Sequence, residues 1–342
     1  MTTFFLNRLA TEPHALAFAG QSTPWPVALA DQTTDPSLDE ALRGHVAAAG
    51  RLLTPVAADL LATTGRPVDL FGFAPNPARL GAAADATASV EGVALTQLGA
   101  LLDLEHLGYS VAQAKPLAVL GHSQGVLAVH MTRAIEAAGS IEAAGTTLDE
   151  ILAVAALIGA AGTRRVRELG LNPKYGEASP MLSVKGATRA QVEALVARVN
   201  NARGPISIAV TNSDNHHVLS GYPEDLAAFA LEAEREHQHQ AKLREQKLHG
   251  GTVFNPTLEY LEVTLPFHSP LMADAVEQTV AWAGACGFDQ KRTRALAEEV
   301  LLNHVDWNAR VKALFDDADP SKLWIVDLGP GNTLGKLIGN VV

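Results

Sequence analysis

The chain reads as an α/β protein whose large body carries a parallel sheet and is interrupted by a small α+β unit. Three observations predict this class. Short apolar runs near residues 15–19, 116–120 and 323–327 lead directly into Gly-containing turns, as buried parallel strands do. Ala/Leu-rich stretches at helical spacing lie between them, and alanine is the strongest helix former. From Pro180 to Leu265 the texture changes to short β-branched runs alternating with two polar helical stretches.

Taken in order, "HALAFAGQST" (14–23) suits a first strand running into a Gly-Gln-Ser turn. Residues 37–65 read as helix, opened by "SLDE" and ended at Gly65, and 88–103 as a second helix. "PLAVLGHSQG" is a five-residue strand and tight turn, and "GVLAVHMTRAIEAAG" continues it as helix; 148–169 is another. Then come strand "PMLSV", helix "TRAQVEALVARVN", strand "ISIAVTN", strand "HHVLSGY", helix "PEDLAAFALEAEREHQHQAKLREQ" and strand "LEYLEVTL". That βαββαβ order is the ferredoxin-like signature. It sets an inserted subdomain at 178–264, within a body of 1–177 and 265–342. A helix from "SPLMADAVEQTVAWAG" and a last buried strand in "KLWIVDLGPGN" complete the body.

Composition narrows the function classes. The 342 residues are 47% hydrophobic and 18% charged, with a net charge of −11 and no basic block beyond "TRRVR" at 163–167. A nucleic-acid partner calls for a basic face, so none is expected. The single cysteine, Cys286, excludes an internal disulfide, and no Cys/His cluster has zinc spacing. The N-terminus lacks a secretion signal, and apolar runs such as 152–162 stop short of the roughly 20 residues a membrane span needs. The expectation is a soluble cytoplasmic protein with no membrane partner. His237, His239 and His249, in the polar run 234–251, read as a solvated face, and no metal site is expected.

The segment "LAVLGHSQGVLAV" (117–129) carries the chemistry. A G-x-S-x-G between a strand and a helix has the context of a nucleophile elbow, in which glycines permit a turn too tight for side chains. Ser123 would project from it, and the backbone N–H of Gln124, at the helix N-terminus, could face a developing oxyanion. The same residues could also form a close-packed strand-to-helix connector. A serine nucleophile needs a base. His122 is a poor one, because adjacent side chains on an elbow diverge. His268, in "LPFHSPLM", stands where the chain returns from the inserted unit to the body, beside the cleft expected between them. On these residues alone a hydrolase and a transferase both remain open.

The motifs "FAGQST", "GHSQG", "PMLSV", "VTNSDNHHVLSG", "PFHSPLM" and "DLGPGNTLGKL" occur in one order along nearly the whole chain. Together they resemble the malonyl/acyl-CoA:acyl-carrier-protein transacylase family, and most closely the acetyltransferase domains of microbial type I fatty acid synthases. The resemblance implies a hydrolase-like α/β body with a ferredoxin-like insertion. It implies a Ser123–His268 dyad, an oxyanion hole from the backbone N–H groups of Gln124 and Gln21, and a backbone carbonyl within Asn303–Asp306 that orients the histidine. His122 and Asn212 would line the acyl site. Malonyl-specific members carry an Arg that pairs with the malonyl carboxylate; here Ile158 aligns with it. An apolar residue there leaves a malonyl carboxylate unpaired and accommodates a methyl group, so acetyl is the expected acyl group. Acetyl-CoA would be a substrate, with no permanently bound cofactor. Acyl carrier protein and other domains of a type I fatty acid synthase would be the partners. A malonyl- or palmitoyl-type transacylase and a serine esterase or thioesterase are the alternatives.

Overall fold

Three parallel strands form the sheet of the body: β1 (His14–Phe18), β2 (Ala118–Gly121) and β8 (Trp324–Asp327), in the order β2-β1-β8. Ala15 lies beside Ala118 in one register and Ile325 in the other, and β1 is fully buried. The structure, a computed structural model, describes residues 8–9, 11–21, 23–65, 86–171, 178–202, 205–247, 253–316, 318–319 and 321–341. All three strands end on the same edge, where open parallel sheets place their ligands.

Helices of the body cover the sheet: α1 (Trp25–Gln32), α2 (Pro36–Leu52), α3 (Ala57–Thr64), α4 (Ala86–His106), α5 (Val111–Ala114), α6 (Val126–Ala138) and α7 (Ile141–Glu168). The single helix expected over 37–65 is two, bent by 55° around Thr54–Pro55, because a proline cannot donate to the helical ladder. The helix expected over 148–169 starts seven residues earlier. The Ser140 side chain accepts from the Ala143 N–H and caps it. At 28 residues α7 is long and apolar enough to cross a membrane, yet 67% of its apolar window is buried against the rest of the fold. Helix α4 is buried on nearly every face and packs along α7, which is itself buried throughout its middle, 151–162.

The inserted unit has β3 (Met181–Lys185), α8 (Arg189–Ala202), β4 (Ser207–Ser213), β5 (His216–Ser220), α9 (Pro223–Glu245) and β6 (Thr257–Tyr260). Its strand order β6-β3-β5-β4 is antiparallel throughout, as in a ferredoxin-like sheet. It has its own apolar core around Leu182, Val192, Leu219 and Phe229. The body returns through α10 (Ala273–Ala285) and α11 (Gln290–Leu301), and ends with α12 (Trp307–Asp316), β8 and α13 (Thr333–Gly339). One strand was unforeseen. β7 (Val305–Asp306) leaves the body and pairs in parallel with Val210 and Thr211, adding a fifth strand to the insert's sheet.

Candidate active site

The Gly121–Gly125 turn is built as tightly as the sequence suggests. A Cβ on Gly121 would lie 2.6 Å from the Val126 nitrogen, and one on Gly125 would collide with the Phe18 carbonyl of β1. Between them Ser123 takes φ +53°, a left-handed conformation that costs an L-residue roughly 1–2 kcal/mol. His268 also has positive φ, at +56°. Such strain persists only where the surroundings impose it, and it clusters at sites that do chemistry.

These two residues meet across 145 positions of sequence. Ser123 Oγ lies 2.7 Å from His268 Nε2, and His268 Nδ1 lies 2.8 Å from the Asn303 carbonyl. A carbonyl can only accept, so Nδ1 carries the hydrogen, and the neutral ring offers its Nε2 lone pair to the Ser123 hydroxyl. The ring is 2% exposed, and this burial pushes its pKa down to about 3, against a raising contribution from the Asn303 bond. The His268 ring is therefore neutral at physiological pH. Within the Asn303–Asp306 stretch it is Asn303 that reaches the histidine. Asp306 instead caps α12, its Oδ1 accepting from the Ala309 N–H at 2.9 Å.

The two glutamines tie the turn after β1 to the elbow. The Gln21 side chain donates to Gln124 Oε1, and the fully buried Gln124 side chain donates to the Val90 carbonyl of α4. A Cβ on Gly20 would sit 2.7 Å from the His122 carbonyl and 3.3 Å from the Gln124 nitrogen, so the 20–21 turn rests directly on the elbow. The Gln124 N–H falls in the first turn leading into α6, where amides lack a partner within the helix. That amide and the 20–21 turn lie beside Ser123, and Gln21 lines the same cleft.

A cleft of about 200 Å³ opens between the body and the insert. Gln21, His122 and Ser123 line it from the body; Met181, Ser183, Asn212, His216 and Val218 line it from the insert. His122 Nε2 donates to Asn212 Oδ1 at 2.7 Å, and its ring stands edge-on to Trp307, centroids 5.2 Å apart. Ser183 Oγ is 3.0 Å from His216 Nε2. Desolvation, the largest cause for each, depresses both rings, His216 to about 4, so both face the cleft uncharged. Lys185 is the one cation among the described lining residues, and Glu259 pairs with it at 3.1 Å. Ile158 is wholly buried in α7 and is not part of this lining.

Sequence reasoning missed several supports. Arg310 donates to the Gly121 carbonyl at 2.8 Å, and Gln97 donates to the carbonyls of Ala19 and Gly329 at 2.6 and 3.0 Å. Each joins residues 78 or more positions apart, and no local pattern marks such pairs. The histidine-rich run is helical as far as Glu245, and His237 Nδ1 is engaged with the Phe254 carbonyl at 2.8 Å. His249 lies outside the described residues. Among the described residues no group of three His, Cys, Asp or Glu side chains could hold a metal ion.

Comparison with known proteins gives a consistent picture. The family model described as fatty acid synthase central AT domain matches residues 180–260, the insert almost to the residue. The fatty acid synthase beta subunit TOXC of Cochliobolus carbonum is 26% identical over 252 residues, which cover 63% of this chain and 12% of that protein. The chain thus spans about an eighth of that curated relative. Two solved structures share the fold. One is the malonyl CoA-acyl carrier protein transacylase of Coxiella burnetii (TM-score 0.63, 17% identity, 96% of this chain and 91% of that one). The other is a malonyl-transacylase solved in complex with its type II polyketide synthase acyl-carrier protein (TM-score 0.64, 15% identity, 96% and 93%).

Proposed function

We propose that this chain is a member of the malonyl/acyl-CoA:acyl-carrier-protein transacylase family, which its similarities support, and that it moves an acetyl group from acetyl-CoA to the phosphopantetheine thiol of an acyl carrier protein. The observation that carries this reading is the Ser123–His268–Asn303 carbonyl relay at the floor of the inter-unit cleft. Ser123 Oγ attacks the thioester carbonyl while His268 Nε2 takes its proton. The backbone N–H groups of Gln21 and Gln124 hold the oxyanion. Collapse expels the CoA sulfur, which receives the proton back from His268, and leaves acetyl-Ser123. A pantetheine thiol then repeats the sequence in reverse, and Ser123 is regenerated. Nucleophile, base and donors all come from this chain, so the reaction calls for no resident cofactor or metal.

Two features support acetyl over malonyl. Among the described lining residues the one cation a second carboxylate could meet is Lys185, already paired with Glu259. At the position aligned with the malonyl-binding arginine, Ile158 is packed in the core. An unpaired carboxylate in such a site costs several kcal/mol, on the order of a thousandfold in loading. Priming of fatty acid synthesis in the cytoplasm, within a multienzyme fatty acid synthase, is the setting this reading implies.

Intact-protein mass spectrometry after mixing with acetyl-CoA or malonyl-CoA tests it. An acetyl adduct on Ser123, stable until pantetheine is added, is the expected result. Release of free acetate without a thiol acceptor would turn the reading to a thioesterase. Preferential malonyl loading would overturn the substrate assignment alone.

A further inference from the structure

We propose that the inserted subdomain sets the orientation of the body's general base, with His304 as the positioning residue and Arg189 holding it. The inference rests on the acyl-transfer reading above and adds a residue set to it.

The carbonyl that fixes His268 belongs to a short link between α11 and β7. On its upstream side the Asn303 and Leu302 N–H groups both donate to the Glu298 carbonyl, at 2.8 and 2.9 Å, which ties the link to the end of α11. On its downstream side Val305 and Asp306 pair with Val210 and Thr211 of β4. Between these anchors the His304 side chain reaches into the insert. Its Nδ1 lies 3.0 Å from the Ile208 carbonyl, at a point where β4 and β5 shift register. An irregularity of this kind disrupts the ladder and leaves room for a side-chain donor.

The proton arrangement follows from the partners. The Ile208 carbonyl accepts only, so His304 Nδ1 carries the hydrogen, and a guanidinium only donates, so Nε2 is the nitrogen that accepts. Arg189 Nη1, 3.3 Å away, donates to that nitrogen, and the Thr211 hydroxyl lies 3.4 Å from it. Arg189 is held in turn by Glu193 at 2.8 Å and by the Thr211 hydroxyl at 3.2 Å. Two adjacent residues thus face opposite ways. Asn303 gives its carbonyl to the base in the body, and His304 gives its N–H to the sheet of the insert.

Release of His304 frees the 303–304 peptide to turn, which takes the Asn303 carbonyl off His268 Nδ1. The ring can then place its hydrogen on Nε2, where it cannot accept the Ser123 proton. The effect falls on the chemical step rather than on substrate binding, because His304 does not line the cleft.

The test compares wild type, His304→Ala, Arg189→Gln and His304→Asn in the full chain. The asparagine Nδ2 stands where the imidazole Nδ1 stood and can still donate to Ile208. Acetylation of Ser123 is followed by rapid quench with acetyl-CoA and, independently of the CoA site, with p-nitrophenyl acetate. The nitrogen-15 shifts of His268 report its tautomer. The expected result for His304→Ala is an acylation rate constant about tenfold lower with both reagents, KM for acetyl-CoA within about twofold, and a mixed His268 tautomer. Arg189→Gln should shift all three the same way by a smaller amount, and His304→Asn should restore rate and tautomer. An unchanged rate and a single Nδ1–H tautomer in His304→Ala would overturn the proposal. So would a loss of rate that His304→Asn fails to restore. If wild type acylates with neither reagent, the acyl-transfer reading falls and takes this inference with it.

Discussion

Replacing Ser123 by glycine should yield a more stable protein than replacing it by alanine, the reverse of the usual order. Both substitutions delete the hydroxyl and its 2.7 Å bond to His268, so that loss cancels in the comparison. What remains is the backbone at φ +53°. Alanine retains the left-handed strain of roughly 1–2 kcal/mol, which glycine does not feel. Against this, glycine makes the unfolded chain more flexible, which costs roughly 0.4–1 kcal/mol. The difference favours glycine by about 0.5–1 kcal/mol. With an unfolding entropy of about 2.1 cal/mol/K per residue, a chain of 342 residues should show a Tm about 1 °C higher for the glycine variant. Scanning calorimetry of the two variants side by side resolves a shift of that size. An alanine variant as stable as the glycine variant, or more so, would refute the argument that the elbow stores strain at Ser123. Neither variant should form an acyl adduct.

Three further outcomes follow from the same geometry. Gly20→Ala places a methyl 2.7 Å from the His122 carbonyl and 2.8 Å from Ser123 Cβ; displacing Gln21 should lower kcat about a hundredfold by weakening one oxyanion donor, and an unchanged kcat would remove Gln21 from that role. The folded-state pKa of His268, depressed to about 3 from 6.5, makes the unfolded chain bind the proton first as pH falls. Its contribution is fully present above pH 6.5 and decays on acidification, by about 2 kcal/mol between pH 6.5 and 5; urea midpoints at the two pH values should show this fall, and His268→Gln should reduce it. Ile158→Arg places an unpaired cation in the core of α7, away from the cleft lining, and should destabilise the protein by several kcal/mol; a urea midpoint equal to that of wild type would show that the new side chain finds the cleft or solvent.

The sequence exposed the parts of this protein whose causes are local. The elbow was visible because its glycines and flanking apolar runs sit within thirteen residues, and the insert because six elements occur in an order few folds share. Helix ends were less legible: Pro55 splits one helix, and Ser140 caps another that starts seven residues before the predicted start at 148. The pairings that support the site are not legible from any local pattern; the resemblance places His122 and Asn212 at the acyl site without joining them. His122 finds Asn212 and Arg310 finds Gly121 across 90 and 189 residues, and the positive φ at His268 belongs to a non-glycine residue that advertises nothing. The two-residue strand inside "LLNHVDW" is too short to show any alternation.

That short strand bears on how chains of this fold can be recombined. The family-model match, residues 180–260, looks like a cassette that could be exchanged between relatives at its two ends. The parallel pairing of Val305 and Asp306 with β4 makes a third junction, some forty-five residues downstream of the apparent boundary. A graft that carries only 180–260 would present the recipient's β7 with a foreign edge. A graft that also brings 303–316 would carry α12 with it, which packs on β4 and bonds Asp214 of the insert through Asn308 and Lys312, and would move the seam into α11 and past the end of α12. Chimeras cut at the two sequence boundaries should therefore fold and bind yet react slowly, and those cut at three places should retain their rate.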